Sequence, residues 1–139
     1  MIHWPEHCFA NAIYGRLRTA GVRCVLEVPC LSRCIDMLLV CGPWYVAVEF
    51  KMHAWKRGLA QATDHLLAVD YSVVCMPERL VSARMREAFI DAGVGLWLAP
   101  SAYAIRVPIE PAPSDQIWSV ARQWLTEYLK NRAPEVLAK

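Results

Sequence analysis

Apolar and polar residues alternate with a period of two through Tyr45-Val46-Ala47-Val48-Glu49-Phe50-Lys51, which predicts a β-strand. Trp44, Val46, Val48 and Phe50 share a wholly apolar face that belongs to a core. Tyr45, Ala47, Glu49 and Lys51 share the other, which turns ionic at its C-terminal end. A strand of similar character, Cys34 to Cys41, precedes it and is broken by Gly42-Pro43. So short a link makes the two strands an antiparallel hairpin. Folding about that turn brings Asp36 near Glu49 or its immediate neighbours.

Elsewhere the pattern alternates between helical and strand periods. Trp4 to Ala20 is predicted as a first helix, with Pro5 in its opening turn and Gly21 just past its end. Phe9, Ala12 or Ile13, Leu17 and Ala20 would face a sheet. Val22 to Val28 follows as a strand stopped by Pro29, and Ala54 or Arg57 to Val69 is a second helix. Tyr71 to Met76 is a fourth strand, and Pro77 opens a helix that ends at Ala92 and is capped by Gly93. Val94 to Ala99 and Tyr103 to Val107 are two short strands. Three prolines between Pro108 and Pro113 mark a linker (108–113) to a C-terminal helix, 114–132, that Ser114 caps. Ile117, Trp118, Ala121, Trp124, Leu125 and Tyr128 form its apolar stripe. That stripe either packs over the chain's own sheet or forms an interface with a second protomer in a homodimer.

Length and composition narrow the class. At 139 residues and 56% hydrophobic content the chain, 1–139, is expected to form a single domain with a sizeable core. No apolar run reaches spanning length, and MIHWPEH lacks a basic stretch followed by an apolar one. Neither a membrane span nor a signal peptide is therefore expected, and a cytoplasmic location follows. Of the six cysteines only Cys30 and Cys34 lie close together, with no second pair at zinc spacing, and most of the six, lying within predicted strands or a helix, are read as small buried hydrophobes.

Asp36, Glu49 and Lys51 are the candidate chemistry. Carboxylates and a lysine within apolar strands are costly to desolvate unless they are paired or bind a cation. Two close anions repel, and a hard divalent cation such as Mg²⁺ relieves that repulsion with one or two carboxylates and retained waters. Lys51 shares a face with Glu49 and is placed to orient a water or to stabilise developing negative charge. The backbone carbonyl of Phe50, between them, is a further oxygen ligand. Net charge is only +2, but Arg33, Lys56 and Arg57 gather around the acidic centre, which suits a phosphate backbone. Arg79, Arg84 and Arg86 form a second basic group on a later helix. His53 and His65 flank the start and middle of the second helix, near enough to be considered for phosphate or metal contact.

Asp36, then VAVEFK ending in Glu49-x-Lys51, then a helix bearing Gln61, resembles the PD-(D/E)XK, or restriction-endonuclease-like, nuclease superfamily. The resemblance runs from about Glu6 to Val107; the proline that precedes the aspartate in the family name is absent here. It implies an α/β fold whose core is a helix, a three-stranded antiparallel meander, a helix and a strand, with added C-terminal strands and helix. It implies metal binding by Asp36 and Glu49 and a catalytic role for Lys51. Glu6 matches a glutamate that many members carry in the first helix, and Glu27 is the competing candidate for that carboxylate. Gln61 matches a glutamine of the following helix; where members often have a tyrosine one turn later, this chain has His65. The expected function is a Mg²⁺- or Mn²⁺-dependent DNA endonuclease, with RNA open as a substrate. The alternative is a non-catalytic nuclease-fold module that binds nucleic acid or a protein.

Overall fold

In the structure, a computed structural model that describes residues 6–101 and 104–137, the elements assemble on one six-stranded sheet. Helix α1 (Glu6–Thr19) leads into strands β1 (Cys24–Cys30), β2 (Arg33–Cys41) and β3 (Trp44–Phe50). Helix α2 (Trp55–His65), strand β4 (Tyr71–Pro77) and helix α3 (Ala83–Ala92) follow. Strands β5 (Gly95–Ser101) and β6 (Ala104–Ile109), helix α4 (Ser119–Arg132) and a closing 3-10 turn at Pro134–Val136 complete the chain. Strand order in the sheet is the chain order, β1 to β6.

The first three strands form an antiparallel meander, with Leu26 opposite Met37 and Met37 opposite Val48. Cys41 pairs with Trp44 across the two-residue turn, where Gly42 takes φ +61°, a left-handed conformation open to glycine at little cost. Helix α2 then acts as a crossover, so β4 runs parallel to β3 and β5 parallel to β4. Parallel pairing brings the C-terminal ends of β3, β4 and β5 to one edge of the sheet. The antiparallel β2 contributes its beginning to that same edge.

Apolar residues fill both sides of the sheet. Phe9 and Ile13 of α1 pack with Met37, Leu39, Val48, Phe50, Val73 and Cys75 on one side. On the other, Leu38, Val40, Tyr45 and Ala47 meet Ala121, Leu125 and Leu129 of α4. A third cluster lies around α3, where Met85 and Phe89 pack with Ala62, Val74, Met76 and Leu96.

Several predicted boundaries move. The proposed start of the first helix at Trp4 and Pro5, and Tyr103, lie outside the described residues. β1 does not stop before Pro29 but runs through it to Cys30. As the sheet's edge strand it tolerates a residue without an N–H. The third helix begins at Ala83, not Pro77, because Ser82 is its cap: the Ser82 hydroxyl accepts the Met85 N–H at 3.1 Å. Gly93 closes that helix as expected, with φ 74°. The C-terminal helix begins at Ser119 rather than Ser114, and Pro108 and Ile109 belong to β6 rather than to a linker. The reason is tethering: the Ser114 N–H donates to the Asp70 carbonyl (2.7 Å), its hydroxyl to the Leu66 carbonyl (2.6 Å), and the Trp118 N–H to the Leu67 carbonyl (2.8 Å). These bonds hold the segment extended until Ser119.

α4 lies on its own sheet through Ala121, Leu125 and Leu129, while Trp118 and Trp124 of the predicted stripe are half exposed. A polar knot fixes it there. Arg122 donates to Asp70 Oδ2 (2.9 Å), which also accepts the Tyr45 N–H (2.7 Å), and its guanidinium lies 3.9 Å from the centre of the Tyr45 ring.

Gly95 opens β5 where Pro111 crosses it. A Cβ added there would stand 2.9 Å from the Pro111 nitrogen and 2.9 Å from Val73 Cγ1. Backbone cannot yield as a side-chain tip does, so Gly95→Ala is expected to destabilise the fold by about 2–3 kcal/mol. Chemical denaturation would measure it; an unchanged midpoint would refute the close approach.

Candidate active site

The β2–β3 ladder ends at Met37 opposite Val48, and one step further stand Asp36 and Glu49. There the Phe50 N–H donates to the Asp36 side chain, to Oδ2 at 2.9 Å. Phe50 itself is locked in the core, edge-on to Phe9 at 5.8 Å between ring centres. The hydrogen bond therefore fixes the Asp36 carboxyl against a rigid backbone.

Burial pushes the Asp36 carboxyl up from 3.8 to about 6, and repulsion from Glu49 adds to it. The Phe50 N–H opposes the rise, whereas a hydrogen bond between the two carboxyls and the more distant Glu6 reinforce it. Asp36 and Glu49 are thus close enough for each to oppose ionisation of the other. The neighbouring Cys34 thiol is raised by burial and then by Asp36, Glu27 and Glu49, which marks the same local excess of negative charge.

Glu49 is 3% exposed and His65 is 4% exposed, and His65 Nε2 lies 3.2 Å from Glu49 Oε1. An ionised carboxylate only accepts, so the pairing requires a proton on Nε2. His65 comes from the sheet-facing side of α2, where Gly58 and Ala62 are also buried. Gln61 lies on that side too, and its Oε1 is buried with no hydrogen-bond partner. An orphaned acceptor of this kind costs about 1–3 kcal/mol unless something else satisfies it.

Lys51 follows directly after β3, and its N–H donates to the Cys75 carbonyl at 3.1 Å. Its side chain crosses α2 at Gly58, where a built Cβ would lie 2.7 Å from Lys51 Cγ. Glycine at that point lets the lysine stem pass close to the helix. Gln61 stands between Gly58, which meets Lys51, and His65, which meets Glu49.

In front of Asp36 opens a cleft of about 390 Å³ whose lining includes Glu6 and Asn11 of α1, Leu26, Glu27, Asp36 and Phe50. Glu27 lies opposite Asp36 in the β1–β2 register and has φ 53°, uncommon for a non-glycine residue. Glu6 and Glu27, the two candidates for an extra carboxylate, both reach the cleft.

Among the other predicted site residues, Arg33 pairs with Asp64 of α2 at 3.2 Å, both side chains being well exposed. Lys56 and Arg57 are exposed in the first turn of α2, which contains no acidic residue. Cations there oppose the helix dipole. The sequence marks His65 as a candidate for phosphate or metal contact, and the structure sets it instead against Glu49; nothing in the sequence singles out Gly58. His65 stands four residues after Gln61, a spacing that places both on one helical face. Gly58 carries no signal until Lys51 is seen lying on it.

Among the described residues no three His, Cys, Asp or Glu side chains converge into a ready-made metal cluster. The Asp36–Glu49 pair nonetheless fits Mg²⁺, which takes one or two carboxylates and keeps several waters. Burial and mutual repulsion both disfavour two anions at this point, and a divalent cation would relieve both.

No protein-family model matches the chain, and no curated protein matches it. Among solved structures it is similar to Pyrococcus furiosus SfsA in complex with Ca²⁺, with a TM-score of 0.39 and 13% identity, over 76% of this chain and 62% of that one. The chain thus spans less than two thirds of that protein, and a likeness so distant establishes neither fold family nor activity. The architecture itself is mixed α/β, and among the described residues no helix is long and apolar enough to cross a membrane.

Proposed function

We propose that this protein is a single-domain, Mg²⁺- or Mn²⁺-dependent nuclease of the PD-(D/E)XK type that hydrolyses phosphodiester bonds in DNA. The observation that carries this reading is the pair Asp36 and Glu49, set side by side one step beyond the Met37–Val48 rung, with Asp36 lining a cleft and pushed up to about 6. Such a pair is unfavourable alone and favourable around a cation. A helix, an antiparallel meander, a helix and a parallel strand frame it in the order that the family resemblance implies.

Asp36, Glu49 and the Phe50 carbonyl would hold the ion, which when bound supplies Lewis-acid neutralisation of phosphoryl charge and makes a bound water more acidic. The chain's own residues do the rest. The Phe50 N–H orients Asp36, and His65 orients Glu49. The Lys51 ammonium orients the attacking water or stabilises the charge that develops on the phosphoryl group. Gln61 offers its unpaired Oε1 as an acceptor, and Glu6 or Glu27 adds a carboxylate at the cleft mouth. Lys56 and Arg57 supply positive charge for the phosphate backbone.

A cleavage panel of linear duplex, single strand, flap, four-way junction and RNA, with Mg²⁺ and with chelator, tests the reading. Cleavage of a DNA substrate with Mg²⁺ and none with chelator is the expected result. Failure on every substrate with both Mg²⁺ and Mn²⁺ would remove the catalytic assignment.

The second reading, a nuclease-fold module that binds without cutting, is favoured by the engagement of Glu49 with His65 and the lack of a three-ligand cluster among the described residues. Calorimetric titration with Mg²⁺ separates the two: heat that disappears in Asp36→Asn belongs to the nuclease, and none in the wild type belongs to the module.

A further inference from the structure

A second cleft, of about 480 Å³, opens where β4 ends and α3 begins, between that connection and β6. Glu78, Arg79, Leu80, Arg86, Arg106 and Pro108 line it. The three arginines are held in different ways. Arg106 forks onto Glu78, its Nε donating to Oε1 at 2.7 Å and its other arm to Oε2, so that its charge is matched. Arg86 donates to the Pro108 carbonyl at 3.1 Å, and Arg79 Nε donates to the Leu80 carbonyl at 3.0 Å. Both of those acceptors are neutral. Among the described residues neither Arg79 nor Arg86 forms an ion pair, so two guanidinium charges stand uncompensated at one cleft.

Leu80 lies between them and is 92% exposed. A leucine projecting into water beside guanidinium groups suits a ligand in which charged and apolar parts alternate, as phosphates, sugars and bases do along a nucleic-acid strand. Free phosphate would leave the leucine without a partner.

The position of the cleft gives it a role. The cleft follows the C-terminal end of β4, as Lys51 follows that of β3, and Phe50 pairs with Cys75 in the parallel ladder between them. Both sites therefore open at one edge of the sheet. Two or three strand spacings separate them, roughly 10–15 Å, or about three to four base-pair steps along a duplex axis.

We infer that the Arg79–Arg86–Arg106 cleft docks the phosphate backbone of a nucleic-acid strand, a few nucleotides from the phosphate presented to Asp36 and Glu49. The second half of this statement rests on the nuclease reading; the docking itself does not. Backbone contacts of this kind fix position and add affinity without reading sequence.

Fluorescence anisotropy in chelator, with labelled single-stranded and duplex DNA over a range of salt concentrations, tests the docking without any cleavage. The Arg79→Ala/Arg86→Ala double variant is expected to bind about tenfold more weakly, with the slope of log K against log salt reduced by about one to two. Lys130→Ala/Arg132→Ala, on α4, is the charge-matched control and should bind as the wild type does. Circular dichroism of each variant shows that the fold is kept; should the double variant misfold, the single Arg79→Ala variant provides the same comparison. Unchanged affinity and slope in folded Arg79 and Arg86 variants overturn the proposal and leave the nuclease reading intact. Polyglutamate bound as tightly as DNA overturns it in favour of an acidic protein partner. A wild type that binds DNA through these arginines but cleaves nothing with metal keeps the docking site and ends the nuclease reading. No binding of DNA by the wild type overturns the inference outright.

Discussion

Asp36→Asn is expected to melt at a higher temperature than the wild type near neutral pH while losing about a hundredfold to a thousandfold of its metal-dependent cleavage. The two effects have one cause. The unfolded carboxyl ionises near 3.8, whereas the folded one holds its proton up to about 6. Across that window the native state binds more protons than the unfolded state, so stability falls as pH rises. Below it there is no penalty, and above it the penalty is complete. A rise of that size corresponds to roughly 3 kcal/mol in a wholly dry site; for a half-buried carboxyl that solvent still screens, about 1–2 kcal/mol is the expected figure.

Asparagine keeps the shape and still accepts the Phe50 N–H, but it carries no charge to desolvate beside Glu49. Its melting temperature should exceed that of the wild type by about 3–8 °C near neutral pH, and the gap should close below about pH 4. Added Mg²⁺ should raise the wild-type melting temperature and leave the variant's unchanged. A wild type more stable than Asp36→Asn at neutral pH in chelator would contradict the electrostatics of the pair.

Gly58→Ala should cost about tenfold to a hundredfold in cleavage and about 1–2 kcal/mol in stability. The new methyl would lie 2.7 Å from Lys51 Cγ and 3.3 Å from Val74 Cγ1. Lys51 Cγ is near the root of the side chain, so the stem must swing away and carry the ammonium with it. A displacement of about 1 Å at a catalytic group can cost a hundredfold. Overpacking of about 1–3 kcal/mol is partly offset by the gain of about 1 kcal/mol when alanine replaces glycine in a helix. A double-mutant cycle isolates the contact: on a Lys51→Ala background the stability cost of Gly58→Ala should shrink by about 1 kcal/mol, leaving only the tighter approach to Val74. Additive stabilities would show that the lysine stem does not pass over Gly58.

Much of the architecture was legible because local rules decide it. The alternation in β3, the Gly42-Pro43 turn and the Gly93 cap each depend on a few adjacent residues. The pairing of Asp36 with Glu49 was legible for the same reason, since a two-residue turn fixes register over the whole hairpin. Boundaries governed by distant partners were not. Pro29 reads as a strand stop until β1 is known to be an edge strand. Ser114 reads as a helix cap until its hydroxyl is found on the Leu66 carbonyl, 48 residues away in the chain.

The candidate site divides along the same line. Adjacent residues alone set Asp36, Glu49 and Lys51 at the same end of one hairpin, because alternation and turn length leave little freedom there. Their surroundings came from packing between distant elements. It laid α2 across the strand ends so that His65 reaches Glu49, Gly58 admits Lys51, and Gln61 is left with a buried, unpartnered oxygen. It also brought Glu6 and Glu27, from different elements, to one cleft. Hydrogen bonds within a hairpin are written in neighbouring residues, whereas the path of a helix over a sheet follows from how both apolar surfaces fill space together.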